Sequence, residues 1–273
     1  MLGAVQCRFR CHQRNLPYLP PAPGITARTD LLVAHSRVLI IGDTHGDSNA
    51  LRASFDIAAA NHCNLVISVG DVWWRPRAAS HENVAAALDR GHQATGIPFM
   101  FIDGNNDDSD ILPTSGQDVV ELADGVAYMP RGSTHHMAGR TLLAIGGAPT
   151  FRRGTKTLGE DLFANEELDD SGVQRAISTG HRIDVVISHD APMLVQLPIA
   201  SNGEFGHDNR DRVQQVVTAV SPNLVVHGHY HRNYETTIAD TNIEVVGLGR
   251  EKNGVPSARV LDLTTLSHTA PAL

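Results

Sequence analysis

Short apolar runs, rich in β-branched and aromatic side chains, alternate with amphipathic stretches from residue 38 onward. Such runs predict buried strands, and the stretches between them carry apolar side chains at helical spacing. This alternation is typical of an α/β fold, in which crossover helices join parallel strands. The predicted strands cover residues 38–41, 65–69, 99–102, 184–187 and 224–226.

Two helices are predicted between the first three strands. Ser48 suits the N-cap of the first helix, whose Leu51 and Phe55 lie on one face. The second helix is predicted over residues 82–93. Toward the C-terminus, three polar-bounded segments predict antiparallel strands, which indicates a mixed sheet and allows two packed sheets. These segments cover residues 234–238, 243–246 and 259–263.

The beginning of the chain differs from the rest. Residues 16–24 contain too much proline for a helix or a central strand. Arginines precede this stretch, but no apolar segment of signal-peptide length accompanies them. We expect residues 1–33 to be a Pro-rich, flexible or surface-draped extension and residues 34–273 to form one α/β domain.

Composition narrows the class of protein. The chain has 273 residues, of which 41% are hydrophobic, and this is enough for a sizeable core. Its formal net charge of −8 argues against a broad electrostatic grip on duplex nucleic acid or an anionic membrane. No apolar run reaches the roughly 18 residues of a membrane span. Three cysteines cannot form a disulfide framework, which favours a cytoplasmic location.

Five short polar blocks follow the carboxyl ends of predicted strands. In open α/β sheets, that edge gathers distant chain segments and is where ligands bind. The blocks supply carboxylates, amides and imidazoles, a set of donors that suits Mn, Fe and Zn ions. They are Asp43-Thr44-His45-Gly46-Asp47, Gly70-Asp71, Gly104-Asn105-Asn106-Asp107, Ser188-His189-Asp190 and Gly228-His229-Tyr230-His231.

Taken together, these blocks resemble the calcineurin-like metallophosphoesterase superfamily, whose pattern is D-x-H, G-D, G-N-H-D/E, an isolated histidine after a strand, and G-H-x-H. The likeness spans residues 43–231, and residues 146–148 and 189–192 look like a bacterial and phage branch. The resemblance implies a single domain, built as a sandwich of two mixed β-sheets flanked by helices. It also implies a dinuclear metal centre at the strand ends.

The same resemblance implies the metal ligands. Those of one metal are Asp43, His45 and His231, those of the other are Asn105, His189 and His229, and Asp71 bridges the two. Mn is the expected ion, with Fe or Zn as alternatives. Two such ions attract a phosphoester and lower the pKa of bound water, so that a metal-bound hydroxide attacks phosphorus. Asp47 is expected to shape its loop or to hydrogen-bond a ligand histidine.

The chain departs from the family pattern at position 106. The family's histidine there assists the leaving group, whereas Asn106 donates a hydrogen bond but cannot titrate usefully. Asp107, which would orient that histidine, lacks its usual partner. The catalytic residues that we expect are Asp71, Asn105, Asn106 and Asp107. Three histidines in predicted loops are candidates to replace the missing acid, namely His135, His136 and His207.

Three further residues, Trp73, Trp74 and Arg75, follow Asp71 closely and are candidates for substrate binding. The tryptophans suit either an aromatic platform for a nucleobase or a hydrophobic plug that closes the loop. Arg75 suits phosphate oxygens or solvent equally well. The acidic segment 159–170 predicts a solvated helix start, with a lid over the site as the alternative.

The resulting functional hypothesis is a phosphodiesterase that acts on nucleotide-type or cyclic phosphodiesters. General-acid help is worth roughly 10²–10⁴-fold, so its loss at position 106 penalises poor leaving groups most. One alternative is a phosphomonoesterase that acts on proteins or small molecules. The other is a metal-binding or partner-docking module with weakened catalysis. The sequence identifies no protein partner.

Overall fold

A computed structural model of the chain describes residues 35–151, 153–198 and 206–272. The extension predicted over residues 1–33 lies outside these residues. Within them, no helix combines the length and the apolar character needed to cross a membrane.

The strands form two mixed sheets. In chain order they are β1 (Arg37–Ile41), β2 (Leu65–Ser68), β3 (Phe99–Phe101), β4 (Val120–Ala123), β5 (Val126–Tyr128), β6 (Thr134–Met137), β7 (Arg140–Ile145), β8 (Val185–Ser188), β9 (Leu224–His227), β10 (Tyr234–Thr237), β11 (Glu244–Gly247), β12 (Ala258–Asp262) and β13 (His268–Thr269). The first sheet has the order β13-β12-β1-β2-β3-β5-β4, and the second has the order β10-β11-β9-β8-β7-β6.

Helices cover the outer faces of both sheets. Helices α1 (Ser48–Ala60) and α2 (His81–Thr95) share one apolar cluster with the first sheet. Helices α3 (Asp170–Ile177) and α4 (His207–Val220) share another with the second sheet. A short 3₁₀ helix spans Arg153–Thr155. The predicted sandwich of two mixed sheets flanked by helices, in one domain, is confirmed.

Alternate residues along each central strand face opposite layers of this sandwich. In β1, Val38 and Ile40 pack into the core between the sheets, whereas Leu39 and Ile41 pack against the helices. A strand buried on both faces must be apolar throughout, which explains the uninterrupted run in the sequence. Full burial of each such side chain contributes about 1.5–3 kcal/mol.

The cap of α1 differs from the prediction. Asp47 is the N-cap, and its Oδ1 accepts the backbone N–H groups of Asn49 at 2.9 Å and Ala50 at 3.1 Å. Ser48 is the first helical residue, so its predicted role as the cap is wrong. A carboxylate offers a charged acceptor to the positive end of the helix, and this favours Asp47 over its neighbour.

The other differences concern strands and helix α4, which is absent from the predicted set. Strands β4 to β7 are absent from the predicted set; the first three are short or polar, although β7 has the same apolar character as its neighbours. The C-terminal strands are not all antiparallel, because β11 pairs parallel to β9 while pairing antiparallel to β10. Val245 and Val246 of β11 are buried in different layers, as suits an interior strand.

Candidate metal centre

The five polar blocks meet at one edge of the sandwich, just beyond the carboxyl ends of β1, β2, β3, β8 and β9. Two glycines permit the close approach of these loops. A Cβ atom on Gly104 would lie 2.2 Å from Asp71 Oδ1, and a Cβ atom on Gly228 would lie 2.2 Å from Asp43 Oδ1. Any larger residue at either position would push a carboxylate out of place.

The first cluster consists of Asp43, His45, Asp71 and His231. One ligand atom of each lies within 4.8 Å of the others. The Nε2 atoms of His45 and His231 are 2.9 Å apart, and His231 Nε2 lies 3.2 Å from Asp43 Oδ2. His45 Nε2 lies 3.7 Å from Asp71 Oδ2. Imidazole nitrogens and carboxylate oxygens that converge in this way fit a divalent transition-metal ion.

The second cluster consists of His189, Asn105 and the same Asp71. His189 Nδ1 donates to the carbonyl of Val69 at 2.7 Å, which leaves Nε2 unprotonated in the neutral ring. This Nε2 lies 3.4 Å from Asn105 Oδ1 and 3.5 Å from Asp71 Oδ1. Burial opposes protonation of His189, but Asp71 and Asp43 outweigh it and raise the pKa of the ring. A proton on Nε2 or a bound cation can therefore hold these three atoms together.

Asp71 touches both clusters, with Oδ2 toward the first and Oδ1 toward the second. Asn106 supports this carboxylate by donating its backbone N–H to Oδ1 at 2.8 Å and its side-chain Nδ2 to Oδ2 at 2.9 Å. Burial alone would raise the pKa of Asp71. His189, His45 and these hydrogen bonds outweigh burial and hold the pKa below its usual value, so Asp71 is ionised.

His229 lies beside the second cluster. Its ring centroid is 5.1 Å from that of His189, and the ring of Phe151 stacks on it at 5.2 Å. Its backbone N–H lies 3.1 Å from Oδ2 of Asp43 and donates to it. Burial, followed by the neighbouring His189, lowers the pKa of His229 well below its usual value. The ring is therefore neutral, as a metal-binding imidazole must be.

Several of these residues have an unusual backbone conformation. His45, Asp71, His229 and His231 all have positive φ angles, of 47°, 54°, 67° and 55°. Each such residue costs on the order of 1–3 kcal/mol, and strain of this kind is concentrated at functional sites. These angles turn the side chains toward a common point at the sheet edge.

The calcineurin-like phosphoesterase family matches this sequence over residues 36–233, which include all five blocks. The chain belongs to that family. Its structure is similar to TT1561 of Thermus thermophilus, with a TM-score of 0.56, 14% identity, and coverage of 86% of this chain and 98% of that chain. It is also similar to a dimetal phosphatase from Danio rerio, with a TM-score of 0.55, 14% identity, and coverage of 86% and 96%. At this identity, the two likenesses show the fold alone. No curated protein matches the sequence.

In this calcineurin-like phosphoesterase, Asn106 occupies the position of the family's histidine and is tightly held. Arg75 donates Nε–H to the backbone carbonyl of Asn106 at 2.6 Å and Nη2–H to its Oδ1 at 3.0 Å. The guanidinium lies between the rings of Trp73 and Phe163, at 4.8 Å and 5.5 Å from their centroids. The Asn106 amide is thus fixed between Arg75 and Asp71.

Asp107 lies beneath the loop and is fully buried. Its carboxylate accepts the backbone N–H groups of Trp74 and Gly104, each at 2.8 Å. Burial, followed by the charge of Asp71, raises the pKa of Asp107 to about 7. Asp107, which was predicted to be catalytic, therefore joins the loop that contains Trp74 to the loop that begins at Gly104.

A cleft of about 610 Å³ opens above the two clusters. Trp73 lines it, whereas Trp74 is buried against Phe101 and His81, as expected of a hydrophobic plug. Arg75 is also largely buried. Of the three candidates for substrate binding, only Trp73 faces the cleft. The described residues that line the cleft are His45, Trp73, Asn105, Asn106, Thr150, Phe151, Lys156, His229, Tyr230, His231 and Arg232.

Four of these residues are not among those predicted from the sequence, namely Thr150, Phe151, Lys156 and Arg232. The first three belong to the loop after β7, which supplies one wall of the cleft. The signal that could have found Thr150 and Phe151 is the apolar run of β7, because a strand there would have placed residues 146–151 at the same edge as the other blocks.

The candidates to replace the missing histidine lie elsewhere, and their predicted loop positions are wrong, because β6 contains two of them and α4 begins at the third. His135 is buried in β6 with Nε2 2.8 Å from Ser133 Oγ. His136 Nδ1 lies 3.0 Å from Thr141 Oγ1, and His207 begins α4. None of the three histidines is among the described residues that line the cleft.

The acidic segment 159–170 is not uniformly solvated. Its last residues start α3, where Asp169 caps the helix by accepting the N–H of Gly172 at 2.8 Å. Glu166, by contrast, is completely buried behind the second cluster.

Proposed function

We propose that this calcineurin-like phosphoesterase is a dinuclear-metal-dependent phosphodiesterase that acts on nucleotide-type or cyclic phosphodiesters. Family membership establishes the coarser activity, a metal-dependent phosphoester hydrolase. The observation that carries the diester preference is the Asn106 amide, which is fixed between Arg75 and Asp71 where the family has a titratable histidine.

The proposed metal ligands fit the ions. The second cluster brings an imidazole nitrogen, an amide oxygen and a carboxylate together, and the first brings two imidazoles and two carboxylates together. Bound there, two divalent ions, most suitably Mn, supply positive charge for phosphoryl oxygens and activate water for attack. We assign Asp43, His45 and His231 to one ion, Asn105, His189 and His229 to the other, and Asp71 to both.

The cleft supports a substrate with an organic group on each side of phosphorus. Trp73 and Phe151 provide aromatic surface, on which a nucleobase or an aryl group can stack. Arg232 and Lys156, of which the lysine also pairs with Asp161 at 3.2 Å, provide cationic groups for the phosphoryl oxygens of an anionic substrate. A substrate of this kind gains binding energy on both sides of the reacting atom.

The leaving group decides which phosphoesters can react without a proton donor at position 106. An alkyl monoester releases a strongly basic alkoxide, which needs a proton from the protein. Asn106 cannot supply one, because an amide does not titrate in the relevant range. An aryl or strained cyclic diester releases its leaving group with less help, so it suffers least from the substitution.

The proposed partners are small phosphoester molecules. A net charge of −8 disfavours duplex nucleic acid. The low cysteine content supports the proposed cytoplasmic location.

The first test compares two aryl substrates. Metal-stripped protein is reloaded with Mn²⁺ and given bis-(p-nitrophenyl) phosphate or p-nitrophenyl phosphate, with Asp71→Asn as the blank. Diester hydrolysis that exceeds monoester hydrolysis and vanishes in the variant supports the proposal. Faster monoester hydrolysis would indicate a phosphomonoesterase, and no metal-dependent hydrolysis of either would indicate a binding module.

A second test restores the proton donor through Asn106→His. We expect hydrolysis of alkyl phosphate esters to rise by up to roughly 10²-fold, because the imidazole can protonate an alkoxide. Hydrolysis of the nitrophenyl esters should change little, and it serves as the internal control. An equal gain on both classes would contradict the leaving-group explanation.

A further inference from the structure

A buried carboxylate stands behind the second cluster. Glu166 Oε1 accepts the backbone N–H of Thr150 at 2.8 Å, and Glu166 Oε2 accepts the hydroxyl of Thr150 at 2.7 Å. Arg153 Nη1 lies 3.1 Å from Oε1. Burial raises the pKa of Glu166, and the hydrogen bonds from Thr150 and the charge of Arg153 oppose this rise. With a fixed backbone donor and a guanidinium on Oε1, we assign the side chain as a carboxylate.

This carboxylate sets the direction of a hydrogen-bond chain. It can only accept, so the single hydroxyl proton of Thr150 must point toward Glu166. Thr150 Oγ1 then offers only lone pairs to Asn105, which meets them with its Nδ2 donor at 3.2 Å. The Asn105 amide oxygen must therefore point the other way, toward His189 Nε2.

We propose that Glu166 is a positioning residue of the metal centre. Through Thr150, it fixes the Asn105 amide with its oxygen toward the second metal ion. A neutral amide has two orientations of nearly equal shape, and the wrong one would present an NH₂ group to the cation. This inference rests on the two-metal centre of the proposed function.

The backbone around Glu166 is itself anchored. Arg131 forms a buried ion pair with Asp103, which follows β3 in the first sheet. The same guanidinium donates to the backbone carbonyls of residues 165–167. Because Arg131 lies between β5 of the first sheet and β6 of the second, the junction between the sheets holds Glu166 in place.

The test is Glu166→Gln, which preserves size but adds a donor. The new NH₂ group can donate to Thr150 Oγ1, which frees the hydroxyl proton to point at Asn105 and favours the flipped amide. We expect the affinity for one of two Mn²⁺ ions to fall roughly 10–100-fold, as when other supporting groups of metal ligands are removed. Calorimetric titration measures this loss. The electron paramagnetic resonance spectrum at two equivalents of Mn²⁺ should change from a coupled pair to an isolated ion.

The matched control is Glu167→Gln. Glu167 also contacts Arg153, at 2.6 Å, but its side chain is 34% exposed, compared with 1% for Glu166. Its carboxylate makes no described hydrogen bond to Thr150, so binding of both ions should stay as in the unmodified protein. An equal loss in both variants would mean that local charge matters and hydrogen-bond direction does not, which would overturn the inference.

Variants of Thr150 test the chain independently. Thr150→Ser keeps the hydroxyl and should bind both ions normally, whereas Thr150→Val should lose affinity for one ion. Adding Glu166→Gln to Thr150→Val should cause no further loss, because the two residues act in series. If the unmodified protein binds two ions and Glu166→Gln or Thr150→Val does too, the positioning role is wrong. If the unmodified protein binds fewer than two, the proposed function fails first.

Discussion

The two metal clusters share one carboxylate but are built on different principles. The first cluster has both carboxylates, and its histidines reach solvent, with His45 16% and His231 38% exposed at the side chain. The second has a fully buried histidine and a neutral amide, and it shares only Asp71 with the first. The first therefore attracts a cation mainly through charge. Cation binding at the second cluster depends more on how its neutral imidazole and amide ligands are oriented.

This difference predicts unequal metal affinities. A carboxylate keeps its charge in any rotamer, whereas an amide binds a cation through one of its two ends only. The second cluster therefore needs supporting groups, and the structure supplies them in Thr150 and Glu166. We expect the first ion to bind more tightly and the second to bind last.

The largest expected effect comes from the residue that the clusters share. Asp71→Asn removes the carboxylate that belongs to the second cluster and one of the two that belong to the first, so both ions should be lost. Phosphoester hydrolysis should fall by roughly 10³-fold or more, because electrostatic stabilisation of the reacting group is lost. Elemental analysis of the purified protein measures the metal content directly. Asp47→Asn is the control, since asparagine also caps helices well.

A smaller loss should follow from crowding the same carboxylate. In Gly104→Ala, the added methyl group would lie 2.2 Å from Asp71 Oδ1, 2.5 Å from the Asp71 backbone nitrogen and 2.7 Å from His189 Cε1, so both Asp71 and His189 of the second cluster must shift. We expect a loss of about 10²-fold in affinity for the second ion, within the range found for disturbed ligand shells. Gly154→Ala is the control, because nothing lies within 4 Å of the added atom. Unchanged affinity in Gly104→Ala would mean that Asp71 and His189 do not hold the second ion.

The smallest effect should come from making the clusters alike. Asn105→Asp gives the second cluster a charge of its own and removes its dependence on amide orientation. The second ion should bind about tenfold more tightly, since an added negative charge favours a cation, and the gap between the two affinities should narrow. Stepwise calorimetric titration with Mn²⁺ resolves both affinities. A wider gap would refute the assignment of Asn105 to the weaker site.

The strand-end rule predicts that the polar blocks meet at one edge of the sheets, whereas the proposed ligand set comes from the family resemblance. The apolar runs before Asp43, Asp71 and Asn105 are long enough to predict strands, and parallel strands end at one edge. The same rule could not predict which of the adjacent residues Trp73 and Trp74 faces the cleft and which faces the core. Trp73 has a φ of 67°, and this turn sends one indole to the cleft and the other to the core.

The proposed role of Glu166 could not be predicted from the local sequence. It lies among other acidic residues, and such segments are usually solvated. Its burial depends on Arg131, at the junction between the two sheets, and on Thr150 in another loop. The pattern of apolar and polar residues over 159–170 does not predict these contacts. Tertiary context of this kind becomes visible only once the two sheets are assembled.

The position of β1 has a consequence for biosynthesis. Its Val38 pairs with Leu65 on one side and with Leu261 on the other. During translation, β2 emerges soon after β1, but β12 emerges only when most of the chain has been made. Until then, the nascent chain presents an unpaired edge of β1, which is open to wrong partners. His229 and His231 also emerge late, one for each proposed ion, so most of this sequence must leave the ribosome before either proposed metal site can be complete.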